Sequence, residues 1–312
     1  MLVEEELSRV SPKRHTALTI GVFDGVHLGH QLLVSKVKEK AAAANLDSVV
    51  VTFLHHPRLV LGRQSHITFI TSIEERIRRL EGLGVSHVVA LSFTHELARL
   101  SAREFVKLLM EYLKMRELVI GPDFALGKER SGNIASLQAL GSELGFGIEV
   151  VPPLLYQGEV VSSTAIRGAL ARGEVNKMNK LLGRHFTLTG QVEKGDARGR
   201  TLGFPTANLI PNEEQALPAD GVYACYAILG EQRYKAVLNI GVRPTFRGIQ
   251  RLVEVHILDF SGNIYGQELQ VELIDRLRDE MKFPGPEELK AQLSKDVELA
   301  KVLLERSGSD SR

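Results

Sequence analysis

The sequence predicts two domains of different class, an α/β domain followed by an all-β domain with a long terminal helix (α/β + β). Its length of 312 residues exceeds the roughly 250 residues that one hydrophobic core usually supports. Short apolar strands alternate with amphipathic helices up to about residue 183. From residue 186 onward, alternating strands are instead separated by Gly, Pro and Asn turns.

The first half has the pattern of a parallel sheet. Its predicted strands are residues 18–23, 48–53, 87–92, 117–120 and 148–151. Two intervening helices begin with a capping box, in which Ser72 pairs with Glu75 and Ser101 with Glu104. Strand–helix alternation implies parallel strands covered on both faces, and ligands of such sheets bind at the carboxyl ends of the strands.

The second half has the pattern of an antiparallel barrel or sandwich. Its predicted strands are residues 187–193, 222–228, 234–239, 252–259 and 269–274, and a long helix follows Pro286. Because the pattern changes near Gly183, we expect the domains to comprise residues 1–184 and 185–312.

Composition fits a soluble cytoplasmic enzyme and says little more. The net charge of +1 argues against a nucleic-acid-binding protein, which usually has a basic excess. The single cysteine, Cys225, excludes an internal disulfide framework and fits a reducing compartment. It lies in an apolar run, so a buried core thiol is favoured over a nucleophile. The acidic N-terminus contains no apolar stretch of signal or membrane length, and we expect no membrane partner.

The run T-I-G-V-F-D-G-V-H-L-G-H at residues 19–30 places His27 and His30 at a strand-to-helix turn. Free backbone N–H groups and the helix dipole favour an anion there, and Gly21 and Gly29 allow close approach of the backbone. With Phe23, these glycines are predicted to line a phosphate-binding turn. Donating imidazoles could stabilise charge on a transferred nucleotide phosphate. The alternatives are a metal pair or two structural histidines, of which a metal pair lacks the H-E-x-x-H spacing and further ligands.

A second glycine- and arginine-bearing run, G-D-A-R-G-R-T-L-G-F-P-T-A-N-L, occupies residues 195–209. Such a loop can surround phosphates with N–H groups and guanidinium charge. Thr206 and Asn208 offer neutral oxygens on one face of an extended chain, which suits a Mg²⁺ held mainly by ATP oxygens. The run differs from G-x-x-x-x-G-K-(S/T), which excludes ordinary P-loop kinases.

These runs closely resemble the prokaryotic bifunctional riboflavin kinase/FMN adenylyltransferase family, also called FAD synthetase. The resemblance extends from about residue 16 to about residue 300. It implies a nucleotidyltransferase-type, Rossmann-like parallel-sheet domain followed by a riboflavin kinase barrel. It also implies that riboflavin is phosphorylated to FMN and that FMN is adenylylated to FAD. The implied ligands are riboflavin, FMN, FAD, ATP, ADP and pyrophosphate, with Mg²⁺ as cofactor.

For adenylyl transfer, the resemblance implies a catalytic role for His27 and His30. It extends to T-F-L-H-H-P at residues 52–57, G-P-D-F-A-L-G-K-E-R-S-G at 121–132 and S-S-T-A-I-R at 162–167. The residues implied for ATP and phosphate are Asp123, Arg130, Ser163, Thr164 and Arg167, and those implied for flavin are His56 and Phe124.

Some residues of these segments also have simpler interpretations. His56 could be a loop histidine fixed by Pro57, and helix capping alone would explain Ser163 and Thr164. The sequence departs from the family pattern at Leu126, where an aromatic residue is usual, and at Asn133, where Asp is common. Loss of the aromatic residue is expected to weaken contact with a flat ring.

For the kinase reaction, the resemblance implies that Glu254 is the general base. Strand alternation places Glu254 and His256 on one face, opposite Val253 and Val255. Gly195, Arg200, Gly203, Thr206 and Asn208 are implied for ATP, the last two also for the metal. The run L-R-D-E-M-K-F at residues 277–283 assigns Arg278 to flavin binding, with a surface ion pair as its alternative.

Two other functions compete with a bifunctional enzyme. One is an enzyme that retains only the kinase, with its first domain impaired at Leu126. The other is a flavin-binding sensor without catalysis. A sensor would need a flavin pocket but not the charge-handling set of His27, His30, Arg167, Thr206, Asn208 and Glu254, so the sequence favours the enzyme.

Overall fold

The computed structural model describes residues 1–62, 67–194, 199, 202–245 and 248–309. The chain divides into two compact units, Met1–Ser163 and Thr164–Arg312. The helix Val175–Leu182 lies in the second of these units. The functional boundary expected between residues 184 and 185 stays a prediction.

The first unit is built on a five-stranded parallel sheet with the order β3-β2-β1-β4-β5. Every residue of β1 and β2 is buried, as expected for central parallel strands covered on both faces. The predicted parallel sheet is therefore confirmed. Its strands are β1 Thr16–Ile20, β2 Asp47–Phe53, β3 His87–Leu91, β4 Met115–Ile120 and β5 Gly147–Val150.

Helices cover both faces of this sheet. Phe105 and Leu109 pack with Leu18 on one face, and Val37 packs with Ala17 on the other. Both predicted helix starts are confirmed, since Ser72 accepts from the backbone of Glu75 and the capping box at Ser101 is complete. The helices are α1 Leu2–Ser8, α2 Leu28–Ala43, α3 Pro57–Val60, α4 Ile73–Gly82, α5 His95–Arg99, α6 Ala102–Tyr112 and α7 Ile134–Leu144; a short hairpin, β6 Leu155–Tyr156 and β7 Glu159–Val160, follows β5.

The second unit contains a closed barrel with the strand order β10-β11-β12-β9-β8-β13. All paired neighbours are antiparallel, and β13 pairs back with β10, so the sheet is closed and the barrel is confirmed over a sandwich. The strand β9 was not predicted, because its five residues lie at the end of the glycine-rich run. The strands are β8 Phe186–Glu193, β9 Ala207–Pro211, β10 Gly221–Leu229, β11 Gln232–Thr245, β12 Gly248–Ile257 and β13 Glu268–Arg278.

The predicted terminal helix is also present, as Pro286–Ser309. Ala300 and Leu304 pack on β10, where the Tyr226 hydroxyl donates a 2.7 Å hydrogen bond to the Leu304 carbonyl. On the same strand, Cys225 is fully buried and burial raises the pKa of its thiol, as expected for a core residue. Among the described residues, no helix is both long and apolar enough to cross a membrane.

Candidate functional site

The histidine pair lies where β1 ends and α2 begins. His27 is the N-cap of α2, and its Nδ1 accepts a 3.3 Å hydrogen bond from the backbone N–H of His30. The two rings stack with centroids 3.6 Å apart and an interplanar angle of 19°. Because Nδ1 of His27 is an acceptor, a proton that this ring donates to a ligand must come from Nε2.

Gly29 and Phe23 maintain this stack. A Cβ on Gly29 would lie 2.9 Å from the Val161 carbonyl oxygen and 3.2 Å from the His27 ring. The Phe23 ring meets His30 edge-on with centroids 5.1 Å apart, and a Cβ on Gly21 would be 3.2 Å from that phenyl ring. The turn therefore needs small residues to hold the imidazoles, whatever ligand approaches it.

Asp24, within the same turn, is a residue that the sequence analysis missed. Its carboxylate is buried and accepts hydrogen bonds from the backbone N–H groups of Ile70 and Thr71, at 2.8 and 3.3 Å. Its carbonyl accepts from the hydroxyl of Ser163 at 2.9 Å. In this arrangement the single hydroxyl proton of Ser163 is directed at the protein, so Ser163 anchors the turn.

A cavity of about 780 Å³ opens at the carboxyl edge of the sheet. Its walls come from the segments that follow β1, β2, β3 and β4, in agreement with the expected position of a ligand site. Of the predicted residues, the cavity brings together Gly21, His56, Asp123, Phe124 and Arg130, and it is also lined by Phe53, Phe93, His95, Phe105 and Leu126.

The position of His56 is compatible with both interpretations of this residue, a loop histidine fixed by Pro57 and a flavin contact. It is the N-cap of α3, where Nδ1 accepts from the backbone N–H of Arg58 at 3.1 Å and Pro57 occupies the first turn. Its ring also lines the cavity, with its centroid 6.2 Å from that of Phe69. Capping therefore orients the imidazole at the cavity wall, and a flavin contact stays a prediction.

The loop after β4 folds into a tight turn over α6. Leu126 and Gly132 exchange two backbone hydrogen bonds of 3.1 and 3.0 Å. Arg130 donates through Nη2 to the carbonyl of Asp123 at 2.7 Å, which brings these two predicted residues together. Leu126 is 7% exposed and belongs to the core, so it contributes apolar wall to the cavity without an aromatic face.

The other departure from the family pattern, Asn133, has no structural consequence for the helix that follows. It is the N-cap of α7 and accepts from the backbone N–H of Ser136 at 3.0 Å. Asn and Asp cap helices about equally well, so the helix start does not require Asp.

Gly127 lies in the left-handed region and packs closely against the backbone of α6. Its φ is +74° and a Cβ would lie 2.5 Å from the backbone nitrogen of Ala102. Gly127→Ala is expected to lower the free energy of unfolding by about 3 kcal/mol, since strain and backbone overlap add. Gly145→Ala is the control, because its φ is +80° but nothing lies within 4 Å. Urea unfolding should show a loss of only about 1 kcal/mol for the control; equal losses would contradict the packing argument.

Helix α8, Ser163–Arg172, begins within the S-S-T-A-I-R run, and Ser163 and Thr164 are its first two residues. A phosphate contact of these residues stays a prediction. Arg167 follows on the next turn. The unit boundary falls between Ser163 and Thr164, and Thr164 and Arg167 belong to the second compact unit.

A polar row crosses the outer face of the barrel. Glu254 on β12 is the direct cross-strand neighbour of Asn208 on β9 and of Asn239 on β11. Thr206 Oγ1 lies 3.5 Å from Glu254 Oε1 and donates to it. Val253 is buried while Glu254 is half-buried, which confirms the predicted alternation. The structure therefore brings Glu254, Thr206 and Asn208 together.

The loop before β9 folds back on itself. The Phe204 backbone N–H donates to the Gly199 carbonyl at 2.9 Å, and Gly203 has a φ of +89° that favours glycine. His256, which the sequence analysis placed only on a strand face, holds this loop through a 2.8 Å hydrogen bond between Nδ1 and the Pro205 carbonyl. Two other predicted loop residues, Gly195 and Arg200, lie outside the described residues.

A second cavity, of about 600 Å³, opens beside Thr206. One wall is formed by Pro205, Thr206 and Ala207, and another by the loop at residues 260–265, which includes Phe260 and Tyr265. This second wall was not predicted, because the sequence of the loop shows only a turn that contains Gly and Asn.

Arg278 binds the terminal helix. Its guanidinium forms a bidentate ion pair with Asp296, with Nε–Oδ1 at 3.0 Å and Nη2–Oδ2 at 2.8 Å. The two side chains are 16% and 4% exposed, so this pair is largely buried and differs from the surface pair considered above. Gln292 donates a further 2.9 Å bond to Asp296. A flavin contact of Arg278 stays a prediction.

Asp296→Asn should destabilise the second unit, because it leaves the buried Arg278 charge without its partner. We expect a loss of about 3 kcal/mol in the free energy of unfolding. Glu298→Gln on the same helix is the control, since Glu298 is 75% exposed and pairs with Lys301 at 3.3 Å at the surface. The free energy of unfolding of both variants is measured with denaturant. A loss in Glu298→Gln as large as that in Asp296→Asn would contradict the argument from the buried pair.

Two family models match the chain. The FAD synthetase model covers residues 10–165, and the riboflavin kinase model covers residues 182–304. The first contains the histidine turn and the 780 Å³ cavity, and the second contains the barrel with Glu254.

Curated relatives match most of the chain. The bifunctional riboflavin kinase/FMN adenylyltransferase of Haemophilus influenzae is 40% identical over 92% of this chain and 93% of its own. The enzyme of that name from Escherichia coli K12 is 39% identical over 92% of each chain. A crystal structure described as a macrolide-efflux protein from Streptococcus pneumoniae has a TM-score of 0.88 and 32% identity over 96% of this chain and 97% of its own. The chain belongs to the bifunctional riboflavin kinase/FMN adenylyltransferase family.

Proposed function

We propose that this chain makes FMN from riboflavin and then FAD from FMN, using one ATP for each step. The observation that carries the proposal is the presence of two separate polar constellations in two units. One is the stacked pair of His27 and His30 at the start of α2, and the other is Glu254 with Thr206 and Asn208. We assign adenylyl transfer to residues 1–184 and the kinase to residues 185–312, close to the two family matches.

In the proposed adenylyl transfer, a phosphate oxygen of FMN attacks the α-phosphorus of ATP and pyrophosphate leaves. His27 and His30 stabilise the charge that develops on the transferred phosphate, because helix N-terminal N–H groups and imidazole donors converge at that turn. Positioning and electrostatics carry the reaction, and a covalent intermediate is not required. The remaining proposed ATP contacts are Gly21, Phe23, Gly29, Asp123, Arg130, Ser163, Thr164 and Arg167.

The 780 Å³ cavity is proposed to hold the flavin of FMN. Phe124 and the oriented imidazole of His56 provide contact for a flat ring, and Leu126 adds apolar surface. This volume falls within the range of about 300–1,000 Å³ that is usual for small-molecule sites. We therefore expect the loss of an aromatic residue at position 126 to weaken flavin binding without abolishing it.

In the proposed kinase reaction, Glu254 accepts the proton of the ribityl 5′-hydroxyl as that oxygen attacks the γ-phosphorus of ATP, and ADP leaves. The half-buried carboxylate accepts a long hydrogen bond of 3.5 Å from the hydroxyl of Thr206. Gly195, Arg200 and Gly203 are proposed for the ATP phosphates. Arg278 is proposed to lie near the flavin.

The donor set beside Glu254 fits Mg²⁺. Thr206 and Asn208 present neutral oxygens on the face that carries the Glu254 carboxylate, and hard oxygen donors are the ligands that Mg²⁺ prefers. Few protein ligands are usual where ATP oxygens complete the coordination. When bound with ATP, magnesium would supply positive charge to the phosphate oxygens at both sites.

We further propose that the protein acts in the cytoplasm, without nucleic acid or membrane partners. The net charge of +1 and the buried free thiol of Cys225 support this location.

Product analysis tests the proposal. Purified protein is incubated with ATP and Mg²⁺, with riboflavin in one tube and FMN in another, and the flavins are separated by chromatography. FAD in both tubes is the expected result. FMN in the first tube with FAD in neither would identify a kinase with a silent first unit. Bound flavin without turnover in either tube would identify a sensor.

A further inference from the structure

We propose that Asp24 is a positioning residue for adenylyl transfer: its buried carboxylate holds the turn that orients His27 and His30. This inference rests on the function proposed for the first unit. Asp24 is 3% exposed, and its side chain bonds to backbone groups of a segment 46 and 47 residues away. Both segments belong to the first unit.

The turn around Asp24 is strained. Phe23 and Val26 have φ values of 52° and 40°, in the left-handed region. For a β-branched residue such as Val26 this conformation is an outlier. Each such residue costs roughly 1–3 kcal/mol and persists only where its surroundings impose it. Both side chains are buried, so the strain must be offset by contacts inside the protein.

Asp24 supplies those contacts on two sides. Its Oδ1 accepts from the N–H groups of Ile70 and Thr71, and the Thr71 hydroxyl in return accepts from the N–H of Gly25 at 3.1 Å. On the other side, the Ser163 hydroxyl donates to the Asp24 carbonyl. Hydrogen bonds therefore tie both sides of the turn to neighbouring segments, and this reciprocal arrangement is suited to holding a strained turn.

The turn directly contacts both histidines and determines where they lie. The N–H of Val26 donates to the carbonyl of Phe23 at 3.0 Å and closes the turn immediately before His27. The Phe23 ring contacts His30, and His27 caps the helix through the N–H of His30. Relaxation of the turn would therefore displace both imidazoles together, and a misplacement of about 1 Å can cost on the order of 100-fold in rate.

The test compares Asp24→Asn and Asp24→Ala with Asp47→Asn. Asp47 is a matched control, since it is another buried carboxylate of the first unit, bonded to Arg14 at 2.9 Å, at the opposite end of the sheet where β2 begins. For each protein, kcat and KM are measured for FMN adenylylation, and the kinase rate of the same preparation is measured as an internal control.

Asp24→Ala is expected to lower the adenylylation kcat by about 30-fold or more, with the KM for ATP within about threefold of wild type. Asp24→Asn, which keeps an acceptor oxygen, should recover part of this loss. Asp47→Asn should leave kcat unchanged. The ¹⁵N chemical shift of His27 Nδ1, an acceptor in the native turn, should change in Asp24→Ala and stay unchanged in Asp47→Asn.

Unchanged adenylylation by Asp24→Ala would overturn the positioning role. So would a parallel fall of both activities with an unchanged His27 shift, which would indicate a role in stability alone. If Asp24→Ala does not fold, Asp24→Asn and Thr71→Val are judged by the same criteria, with a selective fall in adenylylation expected. Wild-type protein that makes no FAD would refute the proposed function instead, which keeps the two failures distinct.

Discussion

His30→Ala is expected to lower the rate of FAD formation from FMN by about 100- to 1,000-fold, the usual effect of removing one donor to a developing charge. The imidazole lies in the first turn of α2, stacked on His27 and in edge contact with Phe23, so the protein holds it at a defined position in the turn. Riboflavin phosphorylation should stay within about twofold of wild type, because Glu254 and its neighbours lie in the other unit.

The measurement is the initial rate of each reaction, with FMN or riboflavin supplied separately. His15→Ala is the matched control, because His15 is an exposed residue that precedes β1 at the opposite end of the same strand. The control should retain both activities. If His30→Ala retained FAD formation, the adenylylation site would not lie at this turn.

Glu254→Gln is expected to lower FMN formation by about 100-fold or more, within the range of a lost general base. Glutamine keeps the size of the side chain and an oxygen that can accept from Thr206, so the barrel should remain intact. Conversion of supplied FMN to FAD should continue at the wild-type rate. The variant therefore removes the ability of the side chain to accept the proton and leaves its packing in the barrel unchanged.

Glu272→Gln is the control for this experiment. Glu272 is a half-buried carboxylate of β13 that accepts from Arg233 at 2.9 Å and lies outside the polar row of Glu254. It should leave FMN formation unchanged. Loss of both activities in Glu254→Gln would indicate misfolding and contradict its assignment as the base.

Much of the fold follows from local pattern in the sequence. Continuous apolar runs identified the buried parallel strands, and the capping residues Ser72 and Ser101 marked two helix starts. Strand β1 ends at Ile20 and not at Phe23 as predicted, because Phe23 adopts a positive φ that no strand permits. An apolar residue in a strained turn has no signature of its own in the sequence.

Contacts between distant segments account for the features that were not predicted. The five residues of β9 form a strand because β8 and β12 pair with them on both sides. Asp24 reads as part of a D-G turn, and its bonds to Ile70 and Thr71 appear only when the segments are brought together. His256 similarly depends on Pro205. The sequence motifs identified the chemical groups of the candidate sites. The residues that position those groups could be recognised only in the folded structure.

Isotope labelling of ATP tests the central claim, two different phosphorus transfers by one chain, most directly. Riboflavin is incubated with the protein and Mg²⁺, with ATP carrying ³²P at the γ-phosphate in one reaction and at the α-phosphate in another. We predict γ-label in both FMN and FAD, and α-label in FAD alone. FAD without α-label, or FMN that carries α-label, would contradict the account.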